Sequence, residues 1–458
     1  MCKKLKLPLA LIRWISFFLS QRSIQLRFNG QTQPLQEVKI GIPQGSPISP
    51  ILFLLYIRDL CKTRPDTFTF SYMDDICIGS SAMSTKKLKK ILERTAKAIL
   101  QEAGESAIEF DVEKTELLYA SRKREIAVQP VQVGESLIQP SNCVRWLGFF
   151  LDTKLSYKKH VQTKAALAQK VFQRLQRLGN TQRGLTTQAT RQLYTACVSS
   201  IADYGVQLWW GKRKKSLLKE YQQLQNSALR QILGAFRGSP IRAMEIEAAL
   251  PPVSLRAEKL CNQYAIRVLS LAKNHPIRIA IQKQQQKQIS TQLGELAKRA
   301  QGHSNVEEIS ILLAKPWSKP ASAYATLTIS TGSKDEAAEL HTQWLRGLKN
   351  REKEPILLYT DGSKKGEEVA AGYCQVSAQG GYTQAKNISL GKKLEIMNAE
   401  LAAICQALQN LESQDVQGEE IHVFADSQAA LKRLRKITLT GGQRVCYEIT
   451  ELCKTLLL

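Results

Sequence analysis

The chain has 458 residues, 43% hydrophobic and 7% aromatic, enough for two or three separately cored globular domains. Its ten cysteines form no Cys-x-x-Cys pair and have no histidines at zinc spacing, which argues against a disulfide framework or zinc module and for reduced thiols in an intracellular setting, nucleus or cytoplasm. The net charge of +25 is uneven: residues 1–120 carry 17 Lys/Arg against 12 Asp/Glu, residues 121–350 carry 35 against 14, and residues 351–458 carry 13 against 14, the signature of a polyanion track through the middle.

In chain order, Leu7–Leu19 follows Lys3-Lys4 as an apolar run, but Arg13 interrupts it and no small-residue cleavage site follows. It reads as an amphipathic internal helix ending at Ser20. No other stretch approaches the ~20 apolar residues of a membrane span, so no membrane role is expected. Alternating strand residues Ser23–Phe28, a turn at Asn29-Gly30 and a return strand through Val38-Ile40 come next. Gly41-Ile42-Pro43-Gln44-Gly45-Ser46-Pro47 is a turn leading into an apolar helix, with Ser46 predicted as N-cap and Pro47 at the first helical position. Its glycines let backbone amides approach a phosphate or base closely.

Phe70-Ser71-Tyr72-Met73-Asp74-Asp75-Ile76-Cys77-Ile78 places two adjacent acids inside an apolar hairpin. Such acids repel and resist desolvation unless a cation neutralises them. Strand neighbours face opposite ways, and a tight turn at Met73-Asp74 relaxes that limit on serving one metal centre. An isolated Asp-Asp pair is more often a solvated turn, so the pair gains meaning from its company. A helix over Lys86–Leu100 and a further strand complete an α+β pattern to residue 120.

From about Ser156 to Leu271 the pattern is helical, with apolar three-four spacing in Ala165–Leu178, Thr187–Ile201 and Leu217–Leu233. Lys158, Lys159, Lys164, Lys170, Arg174 and Arg177 recur at helical spacing, and Lys212-Arg213-Lys214-Lys215 forms a cluster. The cluster alone reads equally as an import signal, whereas the whole track reads as backbone contacts to a nucleic-acid duplex. Trp209-Trp210 is expected to pack between helices rather than stack on bases. Residues 273–350, with a polar Gln282–Gln288 run and a break at Lys315-Pro316-Trp317-Ser318-Lys319-Pro320, read as a helical-to-flexible linker.

A new unit follows. Ile356–Thr360 is a strand ending at Asp361-Gly362-Ser363, with further strands at Val369–Val376 and near Tyr382–Leu390. Glu395–Leu411 is an amphipathic helix containing Glu400, and Ile421–Ala425 is a strand ending at Asp426. Two acids at strand ends and one on a helix suit a two-metal phosphodiesterase site. The order Asp-Gly-Ser argues against an aspartic-protease nucleophile, and His422 is expected to be packed or exposed rather than a ligand.

With these motifs in place, the chain resembles the reverse transcriptases of non-long-terminal-repeat (LINE-type) retrotransposons with a C-terminal ribonuclease H domain. The resemblance implies that Gln44, Gly45 and Ser46 contact template and nucleotide, that Asp74 and Asp75 form the catalytic hairpin, and that Lys114 of Asp111–Glu116 lies near the incoming nucleotide. It further implies that Trp146, Leu147 and Gly148 grip the primer end. In the last unit, Thr360-Asp361-Gly362-Ser363, Asn398-Ala399-Glu400 and Ala425-Asp426-Ser427 are similar to ribonuclease H motifs. The implied metal ligands are Asp74, Asp75, Asp361, Glu400 and Asp426, with two Mg²⁺ or Mn²⁺ ions per active site.

The implied fold is α+β: a partial right-hand polymerase palm and fingers over 1–152, a helical thumb and basic helical region over 153–272, a linker over 273–350 and an α/β ribonuclease H-like domain over 351–458. The implied partners are RNA template, DNA primer, RNA–DNA hybrid and deoxynucleoside triphosphates. The family carries another palm aspartate upstream of the Gly-Ile-Pro-Gln-Gly loop, and a late histidine and fourth carboxylate after a further helix. Glu37 is the only acid before Gly41 and falls on a hairpin strand. A fragment cut at both ends is therefore expected, and three functions stay open: polymerase plus ribonuclease H, an inactive nucleic-acid-binding remnant, or a nuclease alone.

Overall fold

Residues 6–457 are described by the computed structural model, except 125, 178–183, 212–216, 288–290, 304–305, 311–312, 316, 331, 349–353, 378–380, 393, 415 and 417–418. The chain divides into two units, Met1–Leu178 with Leu193–Ala202 and Gly179–Gln192 with Asp203–Leu458. The division falls inside the helical segment predicted over 153–272, and the Lys212–Lys215 cluster lies outside the described residues.

In the first unit, helix Leu9–Leu19 precedes two short antiparallel pairs, Ser23–Ile24 with Gln36–Glu37 and Arg27–Phe28 with Gln31–Thr32. Asn29 and Gly30, both at positive φ, make the turn between the inner strands. The next helix spans Ser49–Ile57, later than Ser46-Pro47 predicts. The Ser46 carbonyl instead accepts from the Ser49 amide at 3.2 Å, and Ser49 Oγ donates to the Pro43 carbonyl at 2.6 Å, so a separate turn is closed before the helix begins. The hairpin Thr67–Tyr72 with Asp75–Ser80 turns through Met73-Asp74, with Met73 at φ 53.

Helix Thr85–Glu105 buries Ile91, Thr95, Ile99 and Ala103, one residue per turn along a single face. Instead of the strand expected before residue 120, Val112–Lys114 is a 3-10 turn, held by the Lys114–Asp111 ion pair at 2.6 Å. Such local side-chain closure competes with strand pairing. Hairpins Val131–Val133 with Ser136–Ile138 and Cys143–Trp146 with Phe149–Asp152 follow. Helix Lys158–Gln176 seats on the second of these through buried His160, whose ring lies 5.3 Å from that of Phe149.

The second unit contains a helical part and a sheet part. Helices Leu218–Leu233 and Val253–Leu269 bury Tyr221, Leu224, Ala228, Leu229, Ala257 and Ala265, and Trp209 is 1% exposed, so the tryptophan pair packs as its apolar setting predicts. Helices Pro276–Lys287 and Gln292–Gln301 continue this body through Val268, Ile281, Ala297 and Ala300, beyond the point where the sequence reads as linker. Tertiary packing here overrides the weak periodicity of a Gln/Lys-rich helix.

One buried polar cluster ties the helices together. Arg256 donates to both Asp203 carboxylate oxygens at 2.6 and 3.1 Å and also to Gln225, whose amide donates to the Pro251 carbonyl at 3.0 Å. Burial pushes the Asp203 carboxyl above its ordinary value, opposed by the charge and hydrogen bonds of Arg256.

In the sheet part, the order is Tyr382–Lys392, Glu368–Val376, Ile356–Lys365 and Ile421–Ala425. The first three strands are antiparallel, and the last runs parallel to Ile356–Lys365 with Thr360 opposite Ala425. Ile356 and Leu358 point to helix Ile396–Glu412, meeting Ala407 and Leu411, while Leu401, Ile404 and Leu408 pack with helices Gln428–Leu434 and Gln443–Leu457. Helix Lys334–Leu348 precedes the first strand.

Arg256→Ala strands a buried carboxylate and is expected to lower the stability of the helical part by about 3–5 kcal/mol. Urea unfolding followed by tryptophan fluorescence measures this, and an unchanged midpoint contradicts the assigned role.

Candidate active site

The strand Ile356–Lys365 runs past the end predicted at Thr360, so Asp361 lies within it opposite Gly372, whereas Asp426 follows the last residue of Ile421–Ala425, and the two acids come just after the last parallel pair, Thr360 with Ala425. Glu400 comes to them from the second turn of helix Ile396–Glu412, and the approach depends on Gly362. A Cβ on Gly362 would lie 2.6 Å from the Glu400 amide nitrogen and 3.0 Å from Ala399 Cβ, so any side chain there would push helix and strand apart. Ser427 Oγ accepts from the Ala430 amide at 3.3 Å, capping the next helix and fixing the chain just after Asp426.

The result is a cluster of Asp361, Glu400 and Asp426, with one carboxylate oxygen from each within 4.8 Å of the others. Glu400 is 5% exposed. Burial first, then the charges of Asp426 and Asp361, push its carboxyl up to about 7, against one lowering contact from the Gly362 amide. Glu400 Oε2 is buried without a hydrogen-bond partner. Three carboxylates and an orphaned buried oxygen suit a hard divalent cation, which prefers oxygen ligands and offsets the repulsion. His422 stays apart from the cluster, its ring 4.7 Å from Trp344 and its Nε2 2.9 Å from Glu420.

The first unit shows a looser arrangement. Asp74 and Asp75 sit at and beside the hairpin turn, both exposed, and no third acid gathers with them among the described residues. Gln44 and Gly45 are exposed and Ser46 half-buried in the preceding loop, where Gly41 and Gly45 take φ of 84 and 90. Lys114 is exposed and turned onto Asp111 at 2.6 Å. Leu147 and Gly148 form the turn of their hairpin at positive φ, and Trp146 Nε1 is buried without a partner.

Helix Lys158–Gln176 contains no acid and buries Val161, Ala165, Ala168 and Phe172 along one face. At 3.6 residues per turn, Lys159, Lys170, Arg174 and the capping residue Arg177 fall within about 60° of one another on the opposite face. Lys159, Lys170 and Arg174 are exposed there. Lys158 and Lys164 lie off this stripe, and Lys164 is half-buried, with burial and then Arg145 lowering its ammonium pKa. The reading of the sequence did not single out the tight approach at Gly362, although a glycine inside a strand is a recognisable sign of one.

Residues 2–151 match the family described as Reverse transcriptase (RNA-dependent DNA polymerase), and residues 353–448 match RNase H. Within a chain of mixed helices and strands, residues 2–151 are thus similar to a reverse transcriptase segment and residues 353–448 to an RNase H domain, and both families use divalent metal ions. The relatives it matches are RNA-directed DNA polymerases of non-long-terminal-repeat retrotransposons. The probable RNA-directed DNA polymerase from transposon BS of Drosophila melanogaster is 26% identical over 224 residues, covering 47% of this chain and 24% of that protein. The RNA-directed DNA polymerase from mobile element jockey of Drosophila melanogaster is 23% identical over 262 residues, covering 56% and 28%. The probable RNA-directed DNA polymerase from transposon X-element of the same fly is 25% identical over 238 residues, covering 50% and 26%. The matched region spans about a quarter of the length of these relatives.

Because the Glu400 carboxyl is raised in the folded state, that state binds more protons than the unfolded one, and stability falls as pH rises from about 4.5 to about 7. Thermal unfolding of the metal-free chain is expected to show this decline in the second unit. Glu400→Gln should flatten it and raise the midpoint at pH 8, and an equal slope in both proteins contradicts the assignment.

Proposed function

We propose that this chain cleaves the RNA strand of RNA–DNA hybrids through Asp361, Glu400 and Asp426. The observation that carries this reading is the convergence of three carboxylates around the buried, partnerless Glu400 oxygen. The three side chains would hold Mg²⁺ or Mn²⁺, which when bound supplies charge to stabilise the attacking and leaving oxygens of phosphodiester hydrolysis. Glu400 would be about half protonated at neutral pH and would give up that proton on binding the metal. Gly362 holds the helix close enough for Glu400 to reach Asp361 and Asp426, and Ser427 fixes the chain just after Asp426.

The first unit reads as the part of an RNA-directed DNA polymerase that contacts template, primer and deoxynucleoside triphosphate. Gln44, Gly45, Ser46 and Lys114 would face the nucleotide and template, and Trp146, Leu147 and Gly148 the primer end. Asp74 and Asp75 would supply two metal-binding carboxylates. Their exposure, with no third described acid beside them, favours nuclease over polymerase activity for these 458 residues. The acid-free stripe of Lys159, Lys170 and Arg174 would follow the phosphate backbone of the hybrid, with Lys158 and Lys164, off the stripe, adding positive charge to the same helix. No helix among the described residues is long and apolar enough to cross a membrane, and nucleic-acid partners would suit the nucleus or cytoplasm.

Purified chain given a labelled hybrid and Mg²⁺ or Mn²⁺ is expected to shorten the RNA strand alone, with Glu400→Gln lowering the rate at least 100-fold. Intact RNA at every metal concentration, or cleavage unaffected by Glu400→Gln, contradicts the reading. Hybrid binding should weaken steeply with salt, and the double variant Lys170→Ala, Arg174→Ala should reduce the log–log salt slope by about two. Fluorescence anisotropy across a salt series measures that slope, and an unchanged slope removes the stripe from the interface.

A further inference from the structure

The sheet face opposite helix Ile396–Glu412 carries a ring cluster that the catalytic reading does not use. Strand alternation sends Ile356 and Leu358 to that helix and Tyr359 the other way, beside Phe424 on the parallel neighbour. The Tyr359 and Phe424 rings stack at 5.0 Å. Helix Lys334–Leu348 lays His341 and Trp344, one turn apart, onto this pair. His341 Nε2 is 2.9 Å from Tyr359 Oη, and its ring meets Phe424 edge-on at 4.4 Å. Trp344 stands 5.4 Å from Phe424 and 4.7 Å from His422. Leu348 closes the helix end at 2% exposure.

The placement of these contacts points to a role. Tyr359 lies two residues before Asp361, and Phe424 two residues before Asp426, so one imidazole touches both strands that lead to the cluster's aspartates. The helix itself lies ahead of residues 353–448, which match RNase H. We propose that helix Lys334–Leu348 is a working layer of the nuclease unit and that His341 is a positioning residue, clamping the two aspartate-bearing strands in register for metal. This rests on the proposed nuclease reading of the cluster.

His341 touches no cluster carboxylate and acts through strand geometry. Burial holds its imidazole below the ordinary pKa, consistent with a neutral ring sharing one hydrogen bond with Tyr359. Edge-to-face and stacked ring pairs add to the area they bury and fix orientation, which a purely aliphatic contact would not do. Side chains that orient metal ligands without touching the ion typically change metal affinity 10–100-fold when removed.

The test uses the full chain and Mn²⁺ alone, read by calorimetry, together with amide hydrogen exchange at Tyr359–Asp361 and Phe424–Asp426. His341→Ala is expected to weaken Mn²⁺ binding at least 10-fold and to speed exchange at both of these segments. His341→Gln, which can restore a hydrogen bond to Tyr359, should recover part of the lost affinity. Trp344→Phe, a milder change on the same helix face, should shift both readouts in the same direction and serves if His341→Ala does not fold. Mn²⁺ affinity within twofold of wild type in His341→Ala, or in Trp344→Phe where that stands in, overturns the positioning role whatever the exchange shows. Hybrid cleavage is measured alongside: a wild-type chain that cleaves nothing, while His341→Ala still loses Mn²⁺ affinity, sinks the nuclease reading and leaves the clamp standing.

Discussion

The second unit depends on repulsion held in check. Three carboxylates are brought within 4.8 Å of one another, one of them buried, at a point where the parallel pairing of two strands ends and a helix passes over a glycine. Each of these features disfavours the metal-free fold, because like charges repel and a buried carboxylate oxygen without a donor is poorly solvated. The surrounding structure supplies the compensation. Helix Ile396–Glu412 is anchored by Leu401, Ile404, Leu408 and Leu411, so Glu400 cannot withdraw without breaking the core. Binding energy for a cation is thereby stored as an unfavourable arrangement of its ligands, and Glu400 responds by retaining a proton near neutrality.

The first unit shows the opposite balance. Its paired aspartates are solvated at a hairpin tip, so nothing forces them to recruit a cation in the arrangement described. What this unit offers is a backbone-binding surface: a helix whose buried face is apolar, whose outer face is basic and whose length is free of acids. From Lys159 to Arg174 the stripe runs about 22 Å, enough to meet several successive phosphates.

How much of this could be read from the residues follows from which forces are local. In the last hundred residues strand alternation and helix periodicity are strong, and the predicted Ile421–Ala425 strand coincides with the observed one, while the helix bearing Glu400 is displaced by one residue. Asp361, Glu400 and Asp426 stood out because each ends a predicted strand or faces inward from an amphipathic helix, although the first strand in fact runs on through Asp361 to Lys365. The Asn29-Gly30 and Met73-Asp74 turns were legible from turn chemistry alone. The start of helix Ser49–Ile57 was not, since three prolines and two serines compete there and the winner depends on Ser49 reaching Pro43. Helix Lys334–Leu348 was also hidden, because its identity rests on His341 and Trp344 meeting rings far along the chain, a tertiary fact with no periodic signature.

The most direct test of the account is the proton balance of metal binding. Mn²⁺ titrated into the chain by calorimetry at pH 6, in buffers of different ionisation enthalpy, should release about one proton per site, falling toward zero at pH 8 and vanishing in Glu400→Gln. Binding with no proton released at pH 6, or release that survives Glu400→Gln, would contradict the claim that a buried, protonated Glu400 completes a metal site with Asp361 and Asp426.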